Sequence, residues 1–130
     1  MTAETTIHEL LALKPDTPLI DRQLILAHVL DKPRSWVIAH DQDSVCDAKS
    51  SAYELQLARC KQGEPVAYIL GYKDFWRHRF AVNAATLIPR PETEVLVEAA
   101  LAILPNEPRT ILDLGTGSGA IAISLANERP

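Results

Sequence analysis

A bundle of short helices, then a β-hairpin, then the opening of an α/β unit: this mostly α architecture is what the 130-residue sequence predicts. Three observations carry it. Apolar residues recur at helical spacing through residues 1–63. After Gly71 the period shortens, with Phe75, Trp76, Phe80 and Val82 set among polar residues. Near the C-terminal end a short apolar run meets a cluster of glycines, the form of a strand buried in a parallel sheet.

Ile7, Leu10 and Leu11 predict a first helix that stops before Pro15. Thr17-Pro18 offers an N-cap followed by proline at the first helical position, and Leu19, Leu24, Leu26, Ala27 and Leu30 mark the stripe of a second helix. Asp31-Lys32-Pro33 ends it, and one more turn of helix around residues 35–39 carries Trp36 inward. Asp47 opens a further helix with Ala48, Ala52, Leu55 and Ala58 as its apolar positions, and Gly63 sits where a left-handed cap is expected. Four helices of this length need one another to bury their stripes, so they form a bundle. A hairpin is expected over residues 72–88. Pro89-Arg90-Pro91-Glu92 breaks it and starts a helix with Val95, Leu96, Ala99, Ala100 and Ile103 as apolar positions. Residues 110–114 are the expected parallel strand, and residues 120–127 the helix after it. A parallel strand needs neighbours on both sides, so the sequence reads as a fragment of a larger sheet.

Composition narrows the function. Hydrophobic residues make up 47% and charged residues 23%, which places the chain among globular sequences. No apolar run is long enough to span a membrane, and residues 1–9 lack signal-peptide regions, so a cytoplasmic protein is expected. The net charge of -4 counts against non-specific nucleic-acid binding, although residues 71–90 carry +3. That local excess, Lys73, Arg77, His78, Arg79 and Arg90 among aromatics, is best explained as the solvated face of a hairpin whose other face is packed. Cys46 and Cys60 have no CxxC partner, and the histidines at 8, 28, 40 and 78 share no ligand spacing, so no metal site is assigned. Trp36 and Tyr53 are expected to fill the bundle core.

The sharpest chemical signal is Asp113-Leu114-Gly115-Thr116-Gly117-Ser118-Gly119-Ala120, between the expected strand and helix. Glycines there permit positive φ and close backbone approach, and the helix start presents free N–H groups, so a nucleotide-like cofactor fits. Spacing does not say which, because Gly115-x-Gly117-x-x-Ala120 also satisfies the dinucleotide fingerprint.

The same stretch resembles the first motif of S-adenosylmethionine-dependent methyltransferases. Gly63-Glu64-Pro65-Val66-Ala67-Tyr68-Ile69-Leu70-Gly71, Phe75-Trp76 and Leu87-Ile88-Pro89-Arg90-Pro91-Glu92-Thr93-Glu94 closely resemble the release-factor glutamine methyltransferase family, PrmC/HemK. The resemblance spans residues 17–130. It implies a helical N-terminal domain at 1–71 that recognises the release factor and a hairpin connection at 72–90. At 91–130 it implies the truncated start of a Rossmann-like α/β methyltransferase domain. The implied cofactor is S-adenosyl-L-methionine, and the implied partners are class 1 peptide-chain release factors, methylated on the glutamine amide nitrogen of their Gly-Gly-Gln motif. Carried over by residue, Gly115, Thr116, Gly117, Ser118 and Gly119 would wrap the cofactor, Asp113 would support the turn, and Pro89, Arg90 and Thr93 would lie near the same pocket. The family's Asn-Pro-Pro-Tyr motif is not among these residues, so no catalytic residue is assigned and this chain alone is expected to be inactive. Rival readings are an adenine amino-methyltransferase acting on nucleic acid, an NAD(P)-dependent oxidoreductase, and a non-catalytic helical adaptor.

Overall fold

Seven α-helices and two short antiparallel strand pairs make up residues 4–130, the residues that the computed structural model describes. They fall into two units, one ending at Leu70 and one running from Gly71 to Pro130.

The first unit opens with β1 (Thr5–Thr6), paired antiparallel to β2 (Ser44–Val45). Helix α1 (Ile7–Ala12) starts with a reciprocal cap: the Glu9 backbone N–H donates to Thr6 Oγ1 at 3.2 Å, and the Thr6 N–H donates to Glu9 Oε2 at 2.8 Å. The second helix, α2 (Leu19–Leu30), begins one residue later than Thr17-Pro18 suggests. Pro18 has an extended ψ of 137° and is itself the cap residue, while Thr17 is buried and makes no capping bond. Gln23, Ile25, Leu26 and Ala27 face the core, whereas Leu19 points outward. Helix α3 (Arg34–Ala39) buries Val37. Trp36 is only half-buried, stacked on His40 with ring centroids 4.2 Å apart and covered by Lys32.

In α4 (Asp47–Lys61) the buried face is Ser50, Tyr53 and Leu57, not the expected Ala48, Ala52 and Leu55, which are exposed. Both phases have helical spacing. The one that turns a tyrosine and a leucine inward removes more apolar area from water than one made of three alanines and a leucine. Gly63, at φ +95°, closes the turn after α4, and a fifth helix not expected from the sequence, α5 (Val66–Leu70), buries Ala67 and Ile69. The core of this unit is Ile7, Leu10, Ile25, Leu26, Val37, Val45, Tyr53 and Leu57 with Ala27.

The second unit begins with the hairpin β3 (Tyr72–Phe75) and β4 (His78–Ala81), shorter than its expected span, with Phe75 opposite His78. Phe75 and Phe80 are both buried and meet edge-on at 6.2 Å between centroids. A single 3₁₀ turn (Pro91–Thr93) leads into α6 (Glu94–Ile103), and α7 (Ala120–Glu128) packs against α6. Here too the buried face differs from the expected one, of whose five positions Ala100 alone packs against the core. Val97 is buried with Ala100, Leu101 and Leu104 around it, while Val95, Leu96, Ala99 and Ile103 are exposed. The helix is apolar on nearly every side, so period alone cannot choose its phase.

The expected strand over residues 110–114 does not form. That stretch is irregular backbone ending in a turn, and Leu112 and Leu114 are 80% and 84% exposed. A strand exists only in a ladder, and among the described residues no other strand lies against this one. No helix of the described residues is long and apolar enough to cross a membrane.

Candidate functional site

The glycine turn is built by backbone conformation. Gly115, Gly117 and Gly119 have φ of +68°, +57° and +81°, the left-handed region where a Cβ is strained. The Thr116 hydroxyl donates to Asp113 Oδ2 at 3.0 Å, and the Gly119 N–H donates to the Thr116 carbonyl at 2.9 Å, so the turn is braced from within. Gly119 is the cap residue of α7 and no side chain caps it. The first intrahelical donor is Ile123, bonded to the Gly119 carbonyl at 2.9 Å, which leaves the N–H groups of the preceding turn free to meet a ligand.

Opposite this turn lies the segment before α6. Between them is a cavity of about 150 Å³. Pro89, Arg90 and Thr93 line one side, and Gly115, Thr116, Gly117 and Ser118 the other, so seven of the nine residues nominated from the sequence meet there. Asp113 and Gly119 stand behind the lining, one as brace and one as cap. Phe75, Leu87, Ile88, Ala120 and Ile121 also line the cavity and were not nominated. Ile88 and Leu87 flank the Pro-Arg-Pro segment and Ala120 and Ile121 follow the glycines, so adjacency was the available signal. Phe75 was marked as a strand residue and as part of the Phe75-Trp76 motif but not as a wall of this cavity, to which the hairpin brings it from another part of the unit. Arg90 is the one charged side chain of the lining.

The basic strip of the hairpin is largely engaged. Arg79 donates to both carboxylate oxygens of Asp74, at 2.8 and 3.3 Å, and lies 3.9 Å from the centre of the Tyr72 ring. That hydrogen bond to Asp74 pushes its pKa further up. Arg77 pairs with Glu128 at 3.1 Å. With Phe75 and Phe80 buried, neither ring is free to stack on a base.

Among the described residues of the helical unit lie cavities of about 340 and 310 Å³. The first is edged by ion pairs, Asp16 with Lys61 at 3.3 Å and Glu64 with Arg59 at 2.6 Å. A backbone hydrogen bond, helped by Lys61, holds Asp16 below the usual carboxylate range, and the Arg59 hydrogen bond does the same for Glu64. Cys60 in its lining has its thiol pushed up by burial and by the charge of Asp21, the opposite of an activated nucleophile. The second is mostly apolar, between Leu11, Leu19, Val37 and Ile38. Among the described residues no three His, Cys, Asp or Glu side chains form a group suited to a metal ion.

The family model for the PrmC N-terminal domain matches residues 4–71, and the chain belongs to that family. It is 45% identical over 115 residues to the release factor glutamine methyltransferase of Escherichia coli (strain K12), covering 88% of this chain and 42% of that protein. The protein of the same name from Aliivibrio fischeri is 48% identical, with 88% and 40% covered. That from Coxiella burnetii is 42% identical, with 98% and 47% covered. The chain therefore spans less than half the length of these relatives.

Proposed function

We propose that this chain belongs to an enzyme that methylates the side-chain amide nitrogen of the glutamine in the Gly-Gly-Gln motif of class 1 release factors, using S-adenosyl-L-methionine. The observation that carries the proposal is the cavity between the glycine turn and the Pro89-Arg90-Pro91 segment, two motifs more than twenty residues apart in sequence. The names of the relatives supply the substrate.

The residues present fit part of the cofactor. At about 150 Å³ the cavity is smaller than the roughly 300–1,000 Å³ that encloses a whole small-molecule ligand, so these walls take one end of it. Apolar lining, free N–H groups at the start of α7 and a single cation suit the amino-acid end with its carboxylate. Gly115, Thr116, Gly117, Ser118 and Gly119 would hold that end, with Pro89, Arg90 and Thr93 opposite and Asp113 bracing the turn. When bound, S-adenosyl-L-methionine supplies an electrophilic methyl group on a positively charged sulfur. An amide nitrogen shares its lone pair with its carbonyl and attacks such a methyl poorly, so the enzyme must accept the amide hydrogens and aim the lone pair. In the family that the sequence resembles this work falls to an Asn-Pro-Pro-Tyr motif, which is not among residues 1–130. The aiming groups belong to a Rossmann-like continuation, and residues 1–130 alone carry no turnover. The helical unit supplies contact with the release factor.

Calorimetric titration of the intact protein with S-adenosyl-L-methionine and with NAD tests the cofactor: binding of the first and not the second is expected, and the reverse refutes the proposal. A methyl-transfer assay on release factor and on DNA tests the substrate, with transfer to the release factor alone expected.

A further inference from the structure

The two walls of the cavity are carried by different helices. Thr93 immediately precedes α6, and the glycine turn immediately precedes α7. Core packing between the helices holds them together through apolar contacts, whose attraction is non-directional. A polar fastening is added by the hairpin.

The hairpin turn is the pair Trp76-Arg77, and Trp76 has φ +54°, a conformation that usually requires glycine at this place in a two-residue loop. Its backbone N–H donates to Glu94 Oε1 at 2.8 Å, and Glu94 is the first residue of α6. Its indole Nε1–H donates to Glu128 Oε1 at 2.9 Å, and Glu128 is the last residue of α7. Arg77 reaches the same Glu128 oxygen at 3.1 Å. The preceding residue, Phe75, is itself in the cavity lining. A strained residue is therefore bonded to each of the two helices that carry a wall. Glycine would satisfy the turn without strain, but it has no indole with which to reach α7.

We infer that Trp76 is a positioning residue: through Glu94 and Glu128 it fixes the separation of the two cavity walls at the value the ligand needs. The inference rests on the cavity being the S-adenosyl-L-methionine site. The test uses the intact protein and its Trp76→Phe, Glu128→Ala and Glu128→Gln variants. Calorimetric Kd for S-adenosyl-L-methionine is measured well below each unfolding temperature, with Tm recorded alongside. Trp76→Phe is expected to weaken binding roughly three- to tenfold, the worth of one hydrogen bond, and Glu128→Ala, which also removes the Arg77 ion pair, at least as much. Glu128→Gln, which keeps an acceptor for the indole, is expected to restore most of it. Lowered Tm with unchanged Kd in the first two variants overturns the inference and leaves the site assignment standing. Absence of binding to the unaltered protein overturns the site assignment and the inference with it. Should Trp76→Phe fail to fold, the comparison of Glu128→Ala with Glu128→Gln decides.

Discussion

Gly119 meets two constraints at once. Its φ of +81° is left-handed, and a Cβ built there would lie 3.1 Å from Ile123 Cδ1. Gly119→Ala should therefore destabilise the second unit by roughly 1–3 kcal/mol in a denaturant titration, and it should weaken S-adenosyl-L-methionine binding by misplacing the start of α7. Gly117 has open space around it, so alanine there meets backbone strain alone and should be milder. Tyr53 shows the opposite economy of space. Its ring is fully buried and its hydroxyl has no partner among the described residues, so burial pushes the phenol up to about 12. The folded state then holds the proton more tightly than the unfolded chain, which titrates near 10. Stability is thus intact below about pH 10 and is lost as pH rises from there towards 12. Absorbance at alkaline pH should show one tyrosine ionising only with unfolding. Tyr53→Phe should remove that step and be neutral or mildly stabilising, because it deletes an unsatisfied buried hydroxyl.

Helix phase decides which apolar residues matter at the scale of an element. In α6, Val97 is fully buried and Ile103 is 84% exposed, although both are aliphatic and six positions apart. Val97→Ala should cost about 2 kcal/mol by thermal or denaturant unfolding. Ile103→Lys in residues 1–130 should change stability by less than about 0.5 kcal/mol. If the two effects were equal, the phase described for α6 would be wrong. At α1, Thr6 and Glu9 cap each other, and Thr6→Ala should remove about 1 kcal/mol from the first unit. The letters Thr-x-x-Glu carry that box, although the expectation for this helix rested on apolar spacing alone. The burial of α4 and α6 is not carried by the letters, because each offers two stripes of comparable spacing and only contact with a neighbour selects one.

The whole molecule divides at Leu70 and Gly71 into units with separate cores. Deleting residues 1–70 from the intact protein should leave S-adenosyl-L-methionine affinity within about twofold while abolishing tight binding of the release factor. Retained release-factor affinity would remove recognition from the helical unit. The second unit keeps an outward apolar face on α6 and an unpaired apolar run at residues 110–114. Burial of both by a parallel sheet is what the proposed Rossmann-like continuation would supply.

Local chemistry is written in the letters, and so it was legible there: where helices stop, that a hairpin follows Gly71, that Gly115, Gly117 and Gly119 form a turn, and which motifs mark the family; that the hairpin turns at Trp76, read from its letters as a strand residue, was not. Each depends on a residue's own conformational range or on neighbours a few positions away. The faces of α4 and α6, the failure of residues 110–114 to pair, and the arrival of Phe75 in the cavity wall were settled only by tertiary structure. Burial and strand pairing are properties of what lies opposite, and no window of sequence contains its own partner.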